Sequence, residues 1–123
     1  MILVDTSIWV DHLRAGNPAL EALLDSGEVL VHPFVTGELA LSNLRQRQLV
    51  IGILRELPQA SVATDLEVLL FLDRHRLFGC GIGYVDVHLL AAARLSETAL
   101  LWTRDRRLRQ VAASLDIAPD LPA

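Results

Sequence analysis

The chain contains no lysine: all eleven of its basic residues are arginine. That absence removes every mechanism built on a catalytic or phosphate-binding lysine. A response-regulator receiver, which also gathers acids at strand ends, needs a lysine beside its phosphorylated aspartate and is excluded on this ground. Cysteine is nearly absent as well. Cys80 stands alone, so there is no internal disulfide and no partner with which to build a soft-ligand zinc site. No apolar run approaches the roughly 18–20 residues of a membrane-spanning helix. No basic region precedes an apolar one at the N-terminus, so nothing there reads as a targeting signal. These absences are those of a cytoplasmic protein with no membrane segment, in a reducing compartment.

What is present is a well-covered core. Hydrophobic residues make up 52% of the 123 and mean hydropathy is +0.39, against an ordinary apolar share of about 45–50%. A chain of this length folds as one domain, here 1–123, and buries about two thirds of its extended surface. Net charge is −4. An acidic domain engages nucleic acid only locally, through a basic patch and metal ions, because affinity scales with the contacts made.

Short apolar runs alternate with helical patterns. Met1–Asp5 reads as a buried strand and Ser7–Ala15 as a helix. After Gly16-Asn17-Pro18 a second helix runs to about Ser26, and a strand follows at Val29–Val31. Pro33 opens a third helix, carrying FVTGELALSNL, and a fourth ends before Pro58. A short strand near Ser61–Ala63 precedes a fifth helix, capped by Thr64 or Asp65 and reaching about Arg76. The glycine-rich LFGCGIG leads into YVDVHLLAAARLSE. Ala99–Trp102 is the next strand, Arg106–Leu115 the last main helix, and the tail DIAPDLPA adds an edge strand. Strands without period-2 alternation, separated by helices, indicate a parallel sheet covered on both faces. The expected class is α/β, three-layered α/β/α, with a central, mainly parallel sheet of four or five strands.

Four carboxylates sit in unusually apolar company. Asp5 follows MILV, Glu38 lies in FVTGELAL, Asp86 in YVDVHLL, and Asp105 follows ALLWTR. Taken singly, each has an ordinary structural role open to it: Asp5 and Asp105 as helix caps, Glu38 as a solvated position, Asp86 as a complement to its helix dipole. Taken together, they fall where the carboxyl ends of parallel strands converge on a crevice. Four carboxylates gathered there repel one another unless cations intervene. Oxygen ligands without cysteine or histidine spacing select Mg²⁺ or Mn²⁺, which would activate water and neutralise charge on a phosphate. Thr6 or Ser7 would cap the first helix and leave Asp5 for the metal. Thr6, Ser7 and Thr103 would also serve as supporting hydroxyls. A haloacid-dehalogenase-type phosphatase would need a second aspartate two residues after Asp5, where Ser7 stands.

The stretches LVDTSIWVDHLR, HPFVTGELALSNL, GIGYVDVHLLAAA and LLWTRDRRL, in this order and spacing, resemble a PIN-domain ribonuclease, and more closely the VapC-type toxins of bacterial toxin–antitoxin pairs. The resemblance spans residues 1 to about 115. By matching positions it implies Asp5, Glu38, Asp86 and Asp105 as the acidic catalytic and metal-site residues, with Thr6, Ser7 and Thr103 beside them. It further implies Mg²⁺- or Mn²⁺-dependent cleavage of RNA, leaving a 5′-phosphate and a 3′-hydroxyl. A homodimer and a small VapB-type antitoxin that blocks the active-site groove are implied too. The alternative is a non-catalytic PIN-like module that binds RNA or protein.

Arg104, Arg106 and Arg107 flank Asp105 and are the candidate RNA contacts, since guanidinium groups match phosphate geometry. Histidines 12, 32, 75 and 88 show no shared metal spacing and receive no role. Trp9 and Trp102 are assigned to the core rather than to base stacking.

Overall fold

The computed structural model describes residues 1–122. Its elements follow in the order β1 (Ile2–Val4), α1 (Thr6–Ala15), α2 (Pro18–Asp25), β2 (Val29–Leu30), α3 (Pro33–Leu41), α4 (Arg47–Glu56), α5 (Asp65–Arg74), α6 (Tyr84–Leu95), β3 (Leu100–Trp102) and α7 (Arg106–Ser114). The sheet order is β2-β1-β3, and both pairings are parallel. Ile2 stands opposite Val29 on one side and Leu100 on the other.

The central strand shows why helices must cover both faces. Consecutive strand residues point to opposite sides of a sheet, and Leu3 and Val4 are both completely buried. Neighbouring β3 behaves alike, with Leu101 and Trp102 buried. The continuous apolar runs therefore record a two-sided burial, as expected of a parallel sheet. Both tryptophans belong to the core.

The sheet is narrower than the four or five strands expected. Among the described residues it has three. The chain near Ser61–Ala63 contributes a single parallel bridge, Val31 to Gln59, held by Val31 N–H to Pro58 O and Ala60 N–H to Val31 O, both 2.9 Å. The tail contributes one bond, from Leu101 N–H to Ile117 O at 2.7 Å. Proline explains both shortfalls: Pro33 has no N–H to carry the bridge on towards 61–63, Pro58 has none to extend it the other way, and Pro119 has none to extend the tail's bond.

Local chemistry sets the helix starts. Asn17 caps α2 ahead of Pro18, its side chain accepting from Leu20 N–H. Thr64 and Glu67 form a reciprocal capping box on α5. Helix α5 ends at Arg74, two residues before Arg76, which adopts a left-handed φ of 53°. The strand ends lead directly to the acids: β1 into Asp5, β2 through His32 into α3 and Glu38, and β3 into Thr103 and Asp105. No helix of the described residues is long and apolar enough to cross a membrane.

Candidate active site

Asp5 is the best-fixed of the four acids. Its backbone N–H donates to Trp102 O at 2.9 Å, tying the end of β1 to the end of β3. Its side chain is only 7% exposed and accepts three hydrogen bonds. Thr6 N–H donates to Oδ1 at 2.8 Å, while the hydroxyls of Thr103 (2.6 Å) and Ser7 (3.1 Å) donate to Oδ2. Both hydroxyls are themselves acceptors. Thr103 Oγ1 takes the N–H of Asp105 and Ser7 Oγ that of Arg104, each at 3.0 Å. With a backbone donor behind each oxygen, the single hydroxyl proton is directed at Asp5. The 3.4 Å approach of Ser7 Oγ to Thr103 Oγ1 is thus a contact between two groups serving one carboxylate.

This corrects the expected division of labour in the first helix. Thr6 and Ser7 do not cap α1; Asp5 does so itself, with extended backbone and Oδ1 on the N–H of Thr6. A carboxylate has two oxygens and about four acceptor sites, so capping and site chemistry share one side chain.

The other acids each commit one oxygen to structure. Glu38 Oε1 accepts from Thr6 Oγ1 at 2.6 Å, Asp86 Oδ2 from Gly83 N–H at 2.9 Å, and Asp105 Oδ1 from Leu108 N–H at 3.0 Å, capping α7. Among the described residues the second oxygen of each has no hydrogen-bond partner. One uncommitted carboxylate oxygen therefore comes from each of α3, α6 and the α7 cap.

Asp86 lies near enough to the other three acids for their charges to act on it. Burial raises its pKa above the ordinary carboxylate value, the Gly83 N–H opposes the shift, and the charges of Asp5, Asp105 and Glu38 add to it. The donor set fits a hard divalent cation, since every available ligand is a carboxylate oxygen. As they stand, no three His, Cys, Asp or Glu side chains among the described residues form a closed metal cage. Glu38 and Asp105 are the exposed members and Asp5 the buried one.

The arginines, alike in sequence, separate in space. Arg104 Nη1 is bound to Asp11 Oδ1 at 2.8 Å, and that carboxylate also meets Arg14 at 3.7 Å. Arg106 lines a groove with Arg109, Gln110, Ala118 and Pro119. Arg107 lies across Gly81. Two concavities elsewhere, about 670 Å³ beside α1 and 350 Å³ between α5 and α6, hold none of the four acids.

His32 and His88 are buried at 0% and 2% exposure. His32 caps α3 by accepting from Phe34 N–H at 3.0 Å, and burial, with His88 adding to it, lowers its pKa to about 4. His88 packs edge-on against Phe34 and Tyr84. Both rings pack in the interior, His32 as a helix cap and His88 among aromatic neighbours. A histidine just before Pro33 was the one sequence sign of a cap.

Thr103→Val tests the relay on which Asp5 depends. The substitution keeps the shape but deprives Asp5 of its shortest donor and the N–H of Asp105 of its acceptor. We expect a loss of about 1–3 kcal/mol, read by denaturant unfolding; a change within a few tenths would show the relay to be idle.

A family model described as PIN domain matches residues 2–114. Ribonuclease VapC32 of Mycobacterium tuberculosis, in strains CDC 1551 / Oshkosh and ATCC 25618 / H37Rv, is 47% identical over 118 residues. The match covers 96% of this chain and 95% of the relative. Among solved structures, that of FitAcB from Neisseria gonorrhoeae aligns with a TM-score of 0.63 over 96% of this chain and 95% of the other. At 21% identity that likeness speaks to the fold.

Proposed function

The chain belongs to the PIN-domain family, and on that premise we propose that it is a VapC-type toxin, a metal-dependent endoribonuclease. The observation that carries the reading is the hydrogen-bond chain that gathers acids at the strand ends: Thr103 Oγ1 donates to Asp5 and accepts the N–H of Asp105, and Thr6, next to Asp5, donates to Glu38. Identity of 47% to a protein named Ribonuclease VapC32 supports the substrate class.

Asp5, Glu38, Asp86 and Asp105 would hold the cation, Mg²⁺ or Mn²⁺. A bound divalent ion supplies an activated water and charge neutralisation at the phosphate. The protein's own part is preorganisation. Ser7 and Thr103 fix the plane of Asp5, Thr6 tethers one oxygen of Glu38, and the N–H groups of Gly83 and Leu108 hold Asp86 and Asp105. Each acid so restrained keeps a ligand oxygen aimed without entropy lost on binding.

In this reading the chain is one domain over 1–123, works in the cytoplasm as a homodimer, and is held inactive by a small VapB-type antitoxin. The alternative is a non-catalytic PIN-like module that binds RNA or protein.

One experiment separates the two. Purified protein freed of any partner cuts single-stranded RNA with Mg²⁺ or Mn²⁺, and chelation stops it. Binding without cutting in both metals favours the module.

A further inference from the structure

The sequence offers three arginines around Asp105 on equal terms, and their surroundings do not. Arg104 is occupied by Asp11 at 2.8 Å. Arg106 turns to the groove on the side of α7 that meets Ala118 and Pro119. Arg107 is exposed and has no acidic partner: the ion pairs among the described residues are Arg14–Asp11, Arg104–Asp11 and His88–Asp65. Its seat is specific. Gly81 has a left-handed φ of +80°, and a Cβ built there would overlap Arg107 Nη1 and lie 2.9 Å from its Cδ and 3.0 Å from its Cζ. Only a bare glycine backbone lets the guanidinium lie across that turn.

The seat links two functional segments. Gly81 is in the loop that delivers Asp86, and Arg107 stands two residues beyond Asp105 in α7. Yet Arg107 is not within ion-pair distance of either carboxylate. A cation at the rim, supported from below and unneutralised, is placed to meet an RNA phosphate adjacent to the one at the acids.

We infer that Arg107, seated on Gly81, is a substrate-contact residue that holds the RNA strand by a phosphate flanking the scissile one. This rests on the ribonuclease reading of the same site and adds to it which arginine binds, where, and through which glycine. A flanking contact is made equally in ground and transition states, so it acts on KM and leaves kcat alone.

The test compares wild type, Arg107→Ala, Gly81→Ala and the charge-loss control Arg55→Ala, which lies on α4. Each full-length protein is checked by circular dichroism and melting, then assayed for cleavage of a single-stranded RNA oligonucleotide over a range of salt. Anisotropy of the same labelled RNA is measured in parallel. Arg107→Ala raises KM and Kd about tenfold, leaves kcat within twofold, and reduces the magnitude of the salt slope by about 0.7. Gly81→Ala does the same by evicting the side chain, and the double variant is no worse than its parts. Arg55→Ala changes neither slope nor KM. Unchanged KM and slope in Arg107→Ala, an effect confined to kcat, or an equal effect in Arg55→Ala overturns the assignment. If wild type binds but never cuts, the ribonuclease reading fails, and the anisotropy difference alone decides for or against Arg107. Absence of RNA binding by wild type overturns both.

Discussion

Asp5→Asn eliminates RNA cleavage while leaving a folded protein. A bound divalent ion would supply several kcal/mol of charge stabilisation at the phosphate, and at about 1.4 kcal/mol per decade losing it with Asp5 corresponds to about 10³-fold. The structural cost is smaller. Asparagine retains one acceptor oxygen, enough for the Thr6 N–H that caps α1 at 2.8 Å. Its amide then faces the hydroxyls of Ser7 and Thr103, which must give up a shared acceptor. That exchange costs about 1–2 kcal/mol, inside the 5–15 kcal/mol by which domains are ordinarily stable. Single-turnover cleavage and a melting curve separate the two effects. Wild-type cleavage by Asp5→Asn would remove Asp5 from the site.

Asp86→Asn moves activity and stability in opposite directions. Cleavage falls as with Asp5, but the metal-free protein gains stability at neutral pH. The sign follows from the raised pKa of Asp86. A carboxyl that holds its proton more tightly folded than unfolded makes the fold most stable below the ordinary carboxylate range. That stability declines as pH rises through the interval up to the folded pKa, and the deficit persists at pH 7. Asparagine removes the charge, and its carbonyl still accepts from Gly83 N–H. The advantage of Asp86→Asn over wild type in chelator should therefore shrink as pH is lowered through the carboxylate range. A variant less stable than wild type at pH 7, or a difference indifferent to pH, would contradict the electrostatic picture.

Much of this site was legible in the chain because burial and charge were in visible conflict there. MILV running into Asp5, and ALLW into Thr103–Asp105, marked two strand ends, and the parallel α/β class brought them to one edge. What stayed hidden depends on residues far apart in sequence. Asp-Thr-Ser offers three possible caps, and the choice of Asp5 follows from Thr103, 98 positions away, supplying its second oxygen. Three arginines in TRDRRL have one chemistry, and only Asp11, Gly81 and the tail give them separate tasks. The sheet was overcounted because Val62 and Ile117 look like strand residues in isolation. Pro33, Pro58 and Pro119 limit what the ladder can reach.

The central claim is that four carboxylates, Asp86 among them, form one cation site. Its most direct measurement is a Mn²⁺ titration of the metal-free protein by calorimetry, wild type beside Asp86→Asn, with the melting temperature followed at each Mn²⁺ concentration. Wild type should bind and gain about 2.7 kcal/mol at a hundredfold excess over Kd, whereas Asp86→Asn, more stable at the outset, should bind far more weakly and gain little. Equal Mn²⁺ binding and equal stabilisation in the two proteins would contradict the account.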